Sequence, residues 1–407
     1  MSQDVSGLTG SIVALVTPFK ANGEIDFPAL DRLVDFHLEN GTDGILVLGT
    51  TGESSTMTDA EDVAVAQHVV NRVNGAIPII GGAGSNATHE SLAKAKSLQM
   101  VGCDALLLIT PYYNKSNDEG IYRHFTTVLD QTEIPSILYN IPGRTGCSIS
   151  EANVVRLAEH PNVMGIKEAS GSISYATSVA RHLSPSFRMY SGNDDMIVPI
   201  LSLGGSGVIS VWANVQPQLC HDLVASYLGG DYQASLRMQL DGLDLVHALF
   251  CEVNPIPVKT AMGLLGYAAG PLRMPLTPME REIVAEIVRE KALRFLSDEV
   301  PHGIAVVTEK MQYRTKRAAS ASNGAAGDPG ETEICDIHAV VVCERESHKG
   351  IVIGKGGSMI KNISRTSRIE LERMWHEKIL SLSIKVIVIP GWRDSPKTLK
   401  DIGYGEE

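Results

Sequence analysis

Eight short apolar, β-branched runs recur before residue 215: Ile12–Phe19, Gly44–Thr51, Pro78–Gly84, Ala105–Tyr113, Pro135–Pro142, Val163–Ser170, Arg188–Asp194 and Gly207–Asn214. Each is too short for a globular helix and reads as a buried strand. The intervals between the first seven mostly hold segments of helical period. Phe27–Asn40 places Leu30, Leu33, Val34 and Leu38 on one helical face, and Glu151–Glu159 is a second example. Eight strands alternating with helices predict an α/β chain folded as a (β/α)8 TIM barrel. A doubly wound sheet shares the pattern and is the alternative. After Asn214 the pattern turns helical, with candidates at 216–228, 231–249, 255–266 and 278–298 that would pack outside the barrel.

Residues 314–333 are low in complexity, have no apolar period and read as a flexible loop or linker. A strand, Ile304–Met311, precedes them. A second, Ile334–Glu344, follows, and Ser358–Trp375 reads as a helix. The expected division is therefore a barrel domain with its C-terminal helices over 1–283 and a small α+β module over 284–407. Charge sharpens this division. Lys and Arg number 16 against 14 Asp and Glu in 301–407, but 19 against 33 in 1–300. An acidic body with a mildly basic tail suggests two modules with different partners.

Composition restricts the class. With 20% charged and 43% hydrophobic residues the chain reads as soluble and globular. No stretch approaches the roughly 20 apolar residues of a membrane helix. Met1-Ser2-Gln3-Asp4-Val5 lacks the basic and apolar regions of a signal peptide, so a cytoplasmic location and no membrane partner are expected. The six cysteines (Cys103, Cys147, Cys220, Cys251, Cys335, Cys343) form no C-x-x-C pair. They read as core thiols of a reducing compartment, with neither a disulfide framework nor a metal site.

Lys167 stands out within this frame. It interrupts the apolar run Val163-Met164-Gly165-Ile166-Lys167-Glu168-Ala169-Ser170 with an ammonium. A strand buried on both faces has no inexpensive place for a lone charge. Either Glu168 or another group compensates it as a structural ion pair, or the amine is held near neutrality for nucleophilic chemistry on a ketone. Other polar residues gather at strand C-terminal ends. Thr50 and Thr51 are read as closing the second strand, Tyr112 and Tyr113 the fourth, Tyr139 and Asn140 the fifth, and Gly192-Asn193-Asp194 the seventh; Ile209 and Ser210 lie on the eighth, and Arg144 follows the fifth. In a barrel these ends share one rim, where active sites are built. An amine, phenols, paired hydroxyls and an arginine there could attack a ketone, relay protons and clamp a carboxylate.

The runs Gly49-Thr50-Thr51-Gly52-Glu53, Pro111-Tyr112-Tyr113-Asn114, Tyr139-Asn140-Ile141-Pro142-Gly143-Arg144-Thr145 and Gly165-Ile166-Lys167-Glu168-Ala169-Ser170 resemble those of the dihydrodipicolinate synthase family, within the pyruvate-dependent Schiff-base lyases. The resemblance covers 9–280. It implies condensation of pyruvate with aspartate semialdehyde in lysine and diaminopimelate biosynthesis, through a covalent imine on Lys167 and with no cofactor or metal. It further implies that Thr50 and Thr51 bind the pyruvate carboxylate and join a proton relay with Tyr139 as acid and base. Tyr113 would complete that relay across a subunit interface in a homotetramer. Arg144 would meet the semialdehyde, and Gly192 and Ile209 would offer backbone groups to the keto acid. Asn86, Glu90 and Tyr112 match positions that bind lysine in feedback-sensitive members. Asp59 and Asp62 stand where those members carry histidines, and added carboxylates would weaken binding, so weak or absent inhibition is expected. Gly82-Ala83-Gly84-Ser85-Asn86-Ala87 imitates a dinucleotide fingerprint, but Asp104 begins a strand instead of ending one, so cofactor binding there is not expected.

In the tail, Gly354-Lys355-Gly356-Gly357 is a G-x-x-G loop, followed by a helix carrying Lys361, Arg365, Arg368 and Arg373. Glycines admit a nucleic-acid backbone and the lysine meets phosphate. With Pro301-His302, Lys349-Gly350-Ile351-Val352-Ile353-Gly354 and Gly391-Trp392-Arg393-Asp394, residues 284–404 resemble the type II KH domain that ends Era-type ribosome-associated GTPases, which implies RNA, ribosomal by analogy, as a partner. A bifunctional fusion, an enzyme with a passive RNA-binding tail and an accidental join of two genes all accommodate this pairing. Two rival functions remain alongside the synthase: an RNA-binding protein with the barrel as scaffold, and a related pyruvate-dependent keto-acid aldolase.

Overall fold

The computed structural model describes residues 3–267, 269–279, 288–289, 291–292, 304–316, 332–375 and 379–392. The helix expected over 278–298, most of the loop expected over 314–333, Pro301-His302 and Arg393-Asp394 lie largely or wholly outside the described residues. The chain divides into two compact units, Met1–Leu276 and Thr277–Glu407.

In the first unit β1 (Gly10–Ala14), β2 (Gly44–Val47), β3 (Ile79–Gly82), β4 (Ala105–Ile109), β5 (Ser136–Asn140), β6 (Val163–Glu168), β7 (Arg188–Ser191) and β8 (Gly207–Ser210) are parallel. β1 pairs with β8 as well as with β2, which closes the barrel and excludes a doubly wound sheet. Both faces of the strands are buried. Val13, Ile45, Val47, Leu106, Leu138, Ile166 and Val208 pack in the larger core with helix side chains such as Leu33, Val69 and Leu98. Ile12, Leu46, Ile80, Leu107, Ile137, Met164, Tyr190 and Ile209 fill a separate, interior cluster. This two-sided burial is why the strands read as continuous apolar runs and not as alternation.

Several strands end earlier than their apolar runs. β2 stops at Val47, because Leu48 takes a left-handed φ of 61° and turns the chain. β4 stops at Ile109 and β7 at Ser191. Thr50, Thr51, Tyr112, Tyr113 and Gly192-Asn193-Asp194 therefore belong to the turns beyond the strands, not to their last residues. The helix expected at 231–249 is two helices, Tyr232–Asp241 and Leu243–Leu249. The break falls at Gly242, where a Cβ would come within 2.2 Å of the Trp212 ring.

Strand β6 carries an irregularity that sequence periodicity does not announce. Ser136 pairs with Val163 but Ile137 pairs with Gly165, so Met164 is an extra residue. Such a bulge shifts the alternation of side chains by one. Met164 then faces the interior, Ile166 faces the helices, and Lys167 stands in register with Tyr139.

In the second unit β9 (Ile304–Lys316) pairs antiparallel with β10 (Thr332–Cys343), which pairs parallel with β11 (Ile379–Val388). Both β9 and β10 run into the ends of the segment expected as a loop, which thus retains strand at 314–316 and 332–333. Helices Glu346–Ile353 and Ser358–Trp375 flank the G-x-x-G turn. Val306, Ile337, Ala339, Val341, Val352, Ile363 and Leu371 form this unit's own core.

Candidate active site

Lys167 is 6% exposed and its ammonium lies 4.5 Å from the centre of the Tyr139 ring. It makes no ion pair among the described residues. Glu168, the neighbour that could have compensated it, points elsewhere: it accepts from Asn140 Nδ2 at 2.8 Å, from the Ser170 N–H at 2.7 Å and from the Ser170 hydroxyl. The structural ion-pair reading of Lys167 and Glu168 is therefore overturned. Burial pushes the Lys167 amine down to about 8, opposed by the negative charge of Asp194 and reinforced by Arg144. At pH 7 such an amine is neutral in roughly one molecule in ten, against one in a few thousand for an ordinary lysine. The downward shift corresponds to about 3 kcal/mol of differential interaction.

The phenol of Tyr139 is 7% exposed and burial raises it to about 12, with Arg144 and the adjacent Thr50 hydroxyl acting against that rise. A proton on this phenol is thus firmly held unless a hydroxyl chain carries it away. Thr50 sits on the open side of the β2 turn. Thr51 is 3% exposed and its hydroxyl accepts from Asn254 Nδ2 at 3.0 Å. The Arg144 guanidinium, on the short helix after β5, donates to the Asn254 carbonyl at 3.2 Å. A cavity of about 770 Å³ runs over Thr50, Tyr139 and Arg144 and onward past Tyr112 to Ser54, Asp62, Glu90 and Lys94.

Gly192, in the turn after β7, and Ile209, in β8, lie against the same interior. A Cβ on Gly192 would stand 2.6 Å from Ala169 and 3.1 Å from Lys167 Cε, so only glycine lets the β7 turn approach the amine. Its N–H already donates to the Glu168 carbonyl at 2.7 Å. A ligand could therefore meet only the Gly192 carbonyl, not both backbone groups. Ile209 is 1% exposed and belongs to the interior cluster with Tyr139 and Ala169.

Tyr113 is not brought to the others within a single chain. It is 91% exposed at a φ of 66° and does not line the cavity. Glu90 accepts from the Ser85 hydroxyl at 2.7 Å, and Asn86 lies off the cavity wall with its carbonyl taken by Asn114 Nδ2 at 3.1 Å. Asp62 is not the free carboxylate that the sequence suggested. It pairs with Lys94 Nζ at 2.6 Å, and Lys94 also donates to the Ser54 hydroxyl at 2.6 Å. The glycines of the apparent dinucleotide fingerprint serve packing: a Cβ on Gly82 would meet the Leu48 carbonyl oxygen at 2.3 Å.

Sequence reasoning missed Asn254, which joins Thr51 to Arg144, and the buried pair Glu53–Lys259. Lys259 Nζ lies 2.6 Å from Glu53 Oε1, while Glu53 Oε2 accepts from the Arg273 N–H at 2.9 Å. These contacts tie the Gly49–Glu53 turn to the helix Ile256–Leu264 and to the segment after it. The buried lysine in an apolar helix was the available signal for the second.

In the C-terminal unit Gly354, Gly356 and Gly357 all take left-handed φ values, and the turn projects Lys355 between two helices. A shallow cleft of about 440 Å³ beside it is lined by Ser358, Met359, Lys361, Asn362 and Arg365. Arg368 is held 4.0 Å from Glu372, and the Arg373 side chain lies outside the described residues.

Comparison with known proteins agrees with both units. Residues 7–292 match the dihydrodipicolinate synthetase family and residues 320–393 match the KH domain. A 4-hydroxy-tetrahydrodipicolinate synthase of Caldicellulosiruptor bescii is 49% identical over 300 residues, 73% of this chain and 98% of the relative. The crystal structure of dihydrodipicolinate synthase from Aquifex aeolicus superposes with a TM-score of 0.66 at 44% identity, covering 67% of this chain and 93% of that one. The chloride-inhibited enzyme of Acinetobacter baumannii, solved with pyruvate, gives a TM-score of 0.66 at 40% identity over 68% of this chain and 94% of that one. By barrel and relatives alike, the chain belongs to the dihydrodipicolinate synthetase family, a family of lyases, and it carries a KH domain at its C-terminal end.

Proposed function

We propose that the barrel is a 4-hydroxy-tetrahydrodipicolinate synthase that condenses pyruvate with aspartate semialdehyde, as the names of its relatives suggest. One observation carries this: an inward-facing lysine whose amine is held near 8, in register with a buried phenol at the mouth of the barrel. The neutral Lys167 amine attacks the pyruvate carbonyl carbon. The carbonyl oxygen leaves as water, taking one proton from the lysine nitrogen and a second delivered through Tyr139, and an iminium remains on the lysine nitrogen. Loss of a methyl proton gives the enamine, which attacks the aldehyde carbon of the second substrate. Tyr139 moves the protons, passing them through Thr50 and Thr51 to Tyr113 of a second copy in a homotetramer. Thr51 and the carbonyl of Gly192 orient the keto acid against the wall formed by Ile209, and Arg144 holds the semialdehyde carboxylate. The lysine nitrogen is itself the electron sink, so the reading calls on no cofactor. Lysine inhibition through Asn86, Glu90 and Tyr112 is expected to be weak, because the Lys94 ammonium already occupies that end of the cavity. Intact mass after pyruvate and cyanoborohydride tests the reading: a single adduct on a peptide holding Lys167 supports it, and no adduct in the folded wild type sinks it. Turnover with aspartate semialdehyde against sugar-acid aldehydes separates the synthase from a related aldolase.

The KH domain is proposed to bind single-stranded RNA through Gly354-Lys355-Gly356-Gly357, with Lys361 and Arg365 beside the turn supporting the backbone. Retention of a labelled RNA by the full chain tests this second activity.

A further inference from the structure

Asp194 sits on the turn after β7, two residues beyond Gly192, whose position is close enough to crowd Lys167 Cε. Its side chain is 2% exposed. One carboxylate oxygen, Oδ2, accepts from the N–H groups of Val211 at 3.0 Å and Trp212 at 2.9 Å. The other, Oδ1, is buried and meets no donor at full hydrogen-bond geometry, though the Ser210 hydroxyl lies near enough to stabilise the carboxylate. An unsatisfied buried carboxylate oxygen is expensive unless a cation faces it. Burial raises this carboxyl above its usual range, while the Ser210 hydroxyl on β8, the Trp212 and Val211 N–H groups and the positive charge of Lys167 on β6 act against that rise; Asp194 in turn raises the Cys220 thiol on the helix Pro217–Leu228. The Tyr139 ring lies 4.5 Å from the lysine nitrogen, and the charges of Asp194 and Arg144 both act on it, in opposite directions. With Glu168 engaged by Asn140 and Ser170, Asp194 is the carboxylate among the described residues whose charge acts on the Lys167 nitrogen.

We propose that Asp194 is a positioning residue that supplies the counter-charge to the Lys167 nitrogen, both as the resting ammonium and as the iminium formed on it. The inference rests on the imine chemistry proposed above. In net terms the Lys167 ammonium and pyruvate give the iminium and one water: the N–C bond forms, the C–O bond breaks, and the oxygen departs with two protons from the nitrogen. The nitrogen is positive at both ends of that conversion and neutral between them. A fixed carboxylate stabilises both ends and lets the iminium persist at alkaline pH. The two backbone N–H groups hold the carboxylate in place without neutralising it.

Asp194→Asn keeps an acceptor for Val211 and Trp212 and removes the charge. In the full chain, the pH profile of cyanoborohydride trapping with pyruvate is expected to move its acidic midpoint down by roughly one unit. The trapped fraction at alkaline pH is expected to fall. A folded variant whose midpoint stays at the wild-type value, even with lower amplitude, overturns the proposal. Should that variant fail to fold, Lys167→Met provides an independent reading. Without its cation the buried carboxyl should protonate, and a carboxylic-acid band should appear in the infrared difference spectrum against wild type at neutral pH. Its absence overturns the proposal. This infrared result needs no pyruvate, so a wild type that forms no adduct would sink the proposed reaction while leaving the Asp194–Lys167 charge pairing to be judged separately.

Discussion

Asn254 donates its side-chain amide to the Thr51 hydroxyl across 203 positions of sequence, and its own carbonyl accepts from Arg144. Its Oδ1 is buried without a partner. One residue outside the barrel strands therefore engages both the buried Thr51 hydroxyl and the Arg144 guanidinium, which lines the cavity. Asn254→Ala removes the donor to Thr51 and frees that hydroxyl to rotate. The loss of one such buried hydrogen bond is worth about 1–3 kcal/mol, or roughly 5- to 150-fold in kcat/KM. Steady-state kinetics on both substrates checks this; unchanged kcat/KM for pyruvate would show that Thr51 is oriented without Asn254.

The depressed amine sets the pH dependence of imine formation. Lys167 lies near 8 in the folded chain, below its ordinary value, because burial disfavours the ammonium. The reactive neutral amine therefore becomes scarcer as pH falls below about 8. The initial rate of adduct formation with pyruvate should drop roughly tenfold for each pH unit below that point and level off above it. Lys167→Ala should form no adduct at any pH. Stopped-flow or quench-flow trapping from pH 6 to 9 gives the profile, and a rate flat across that range would mean that another group attacks the ketone.

The contrast between Lys167 and Asn254 explains what was legible in the chain. A lone ammonium inside an apolar strand is a conflict within a few residues, and local conflicts are visible in sequence. The strands themselves were visible for the same reason. Their ends were not, because Leu48 and Tyr112 continue the apolar character of β2 and β4 while the backbone has already turned. Nor was the extra residue at Met164, since a bulge shows only in the pairing of two strands. Asn254, Asp194 and the Glu53–Lys259 pair depend on contacts between segments that no local pattern relates. Asp62 illustrates the limit in reverse: its charge was legible, but the Lys94 ammonium that compensates it is 32 residues away on the next helix.

That compensation bears on feedback. Burial raises the Asp62 carboxyl, and the Lys94 ammonium 2.6 Å away opposes the rise. An incoming lysine would have to share the site with an ammonium already bonded to Asp62 and Ser54. Synthase activity should therefore be unchanged by micromolar lysine. A coupled assay over a lysine titration checks this, and inhibition at low micromolar concentration would overturn the reading.

The Glu53–Lys259 pair holds the Thr50–Thr51 turn against the helix Ile256–Leu264. Its side chains are 0% and 2% exposed. Lys259→Met leaves the buried Glu53 with the Arg273 N–H and the more distant charge of its guanidinium, and removing one partner of a buried pair costs about 3–5 kcal/mol. The double variant Glu53→Gln with Lys259→Met should recover much of that loss, because the uncompensated charge is gone. Denaturant melts of the three variants measure it; a double variant no more stable than Lys259→Met would mean that shape, not charge, fixes the turn.

The KH turn offers a separation of the two proposed activities. Gly356 takes a φ of 61° and no atom lies within 4 Å of where its Cβ would stand. Gly356→Asp therefore meets no steric obstacle, but it strains the backbone by about 1 kcal/mol and sets a carboxylate where Lys355 would meet phosphate. RNA retention should fall, and fall further at low salt, where unscreened repulsion is strongest. The barrel contains none of these residues, so pyruvate trapping at Lys167 should persist at the wild-type rate. Filter binding and intact mass on the same preparation measure both quantities. Loss of adduct together with RNA would tie the two units functionally, and retention of RNA in the variant would remove the G-x-x-G turn from the binding surface.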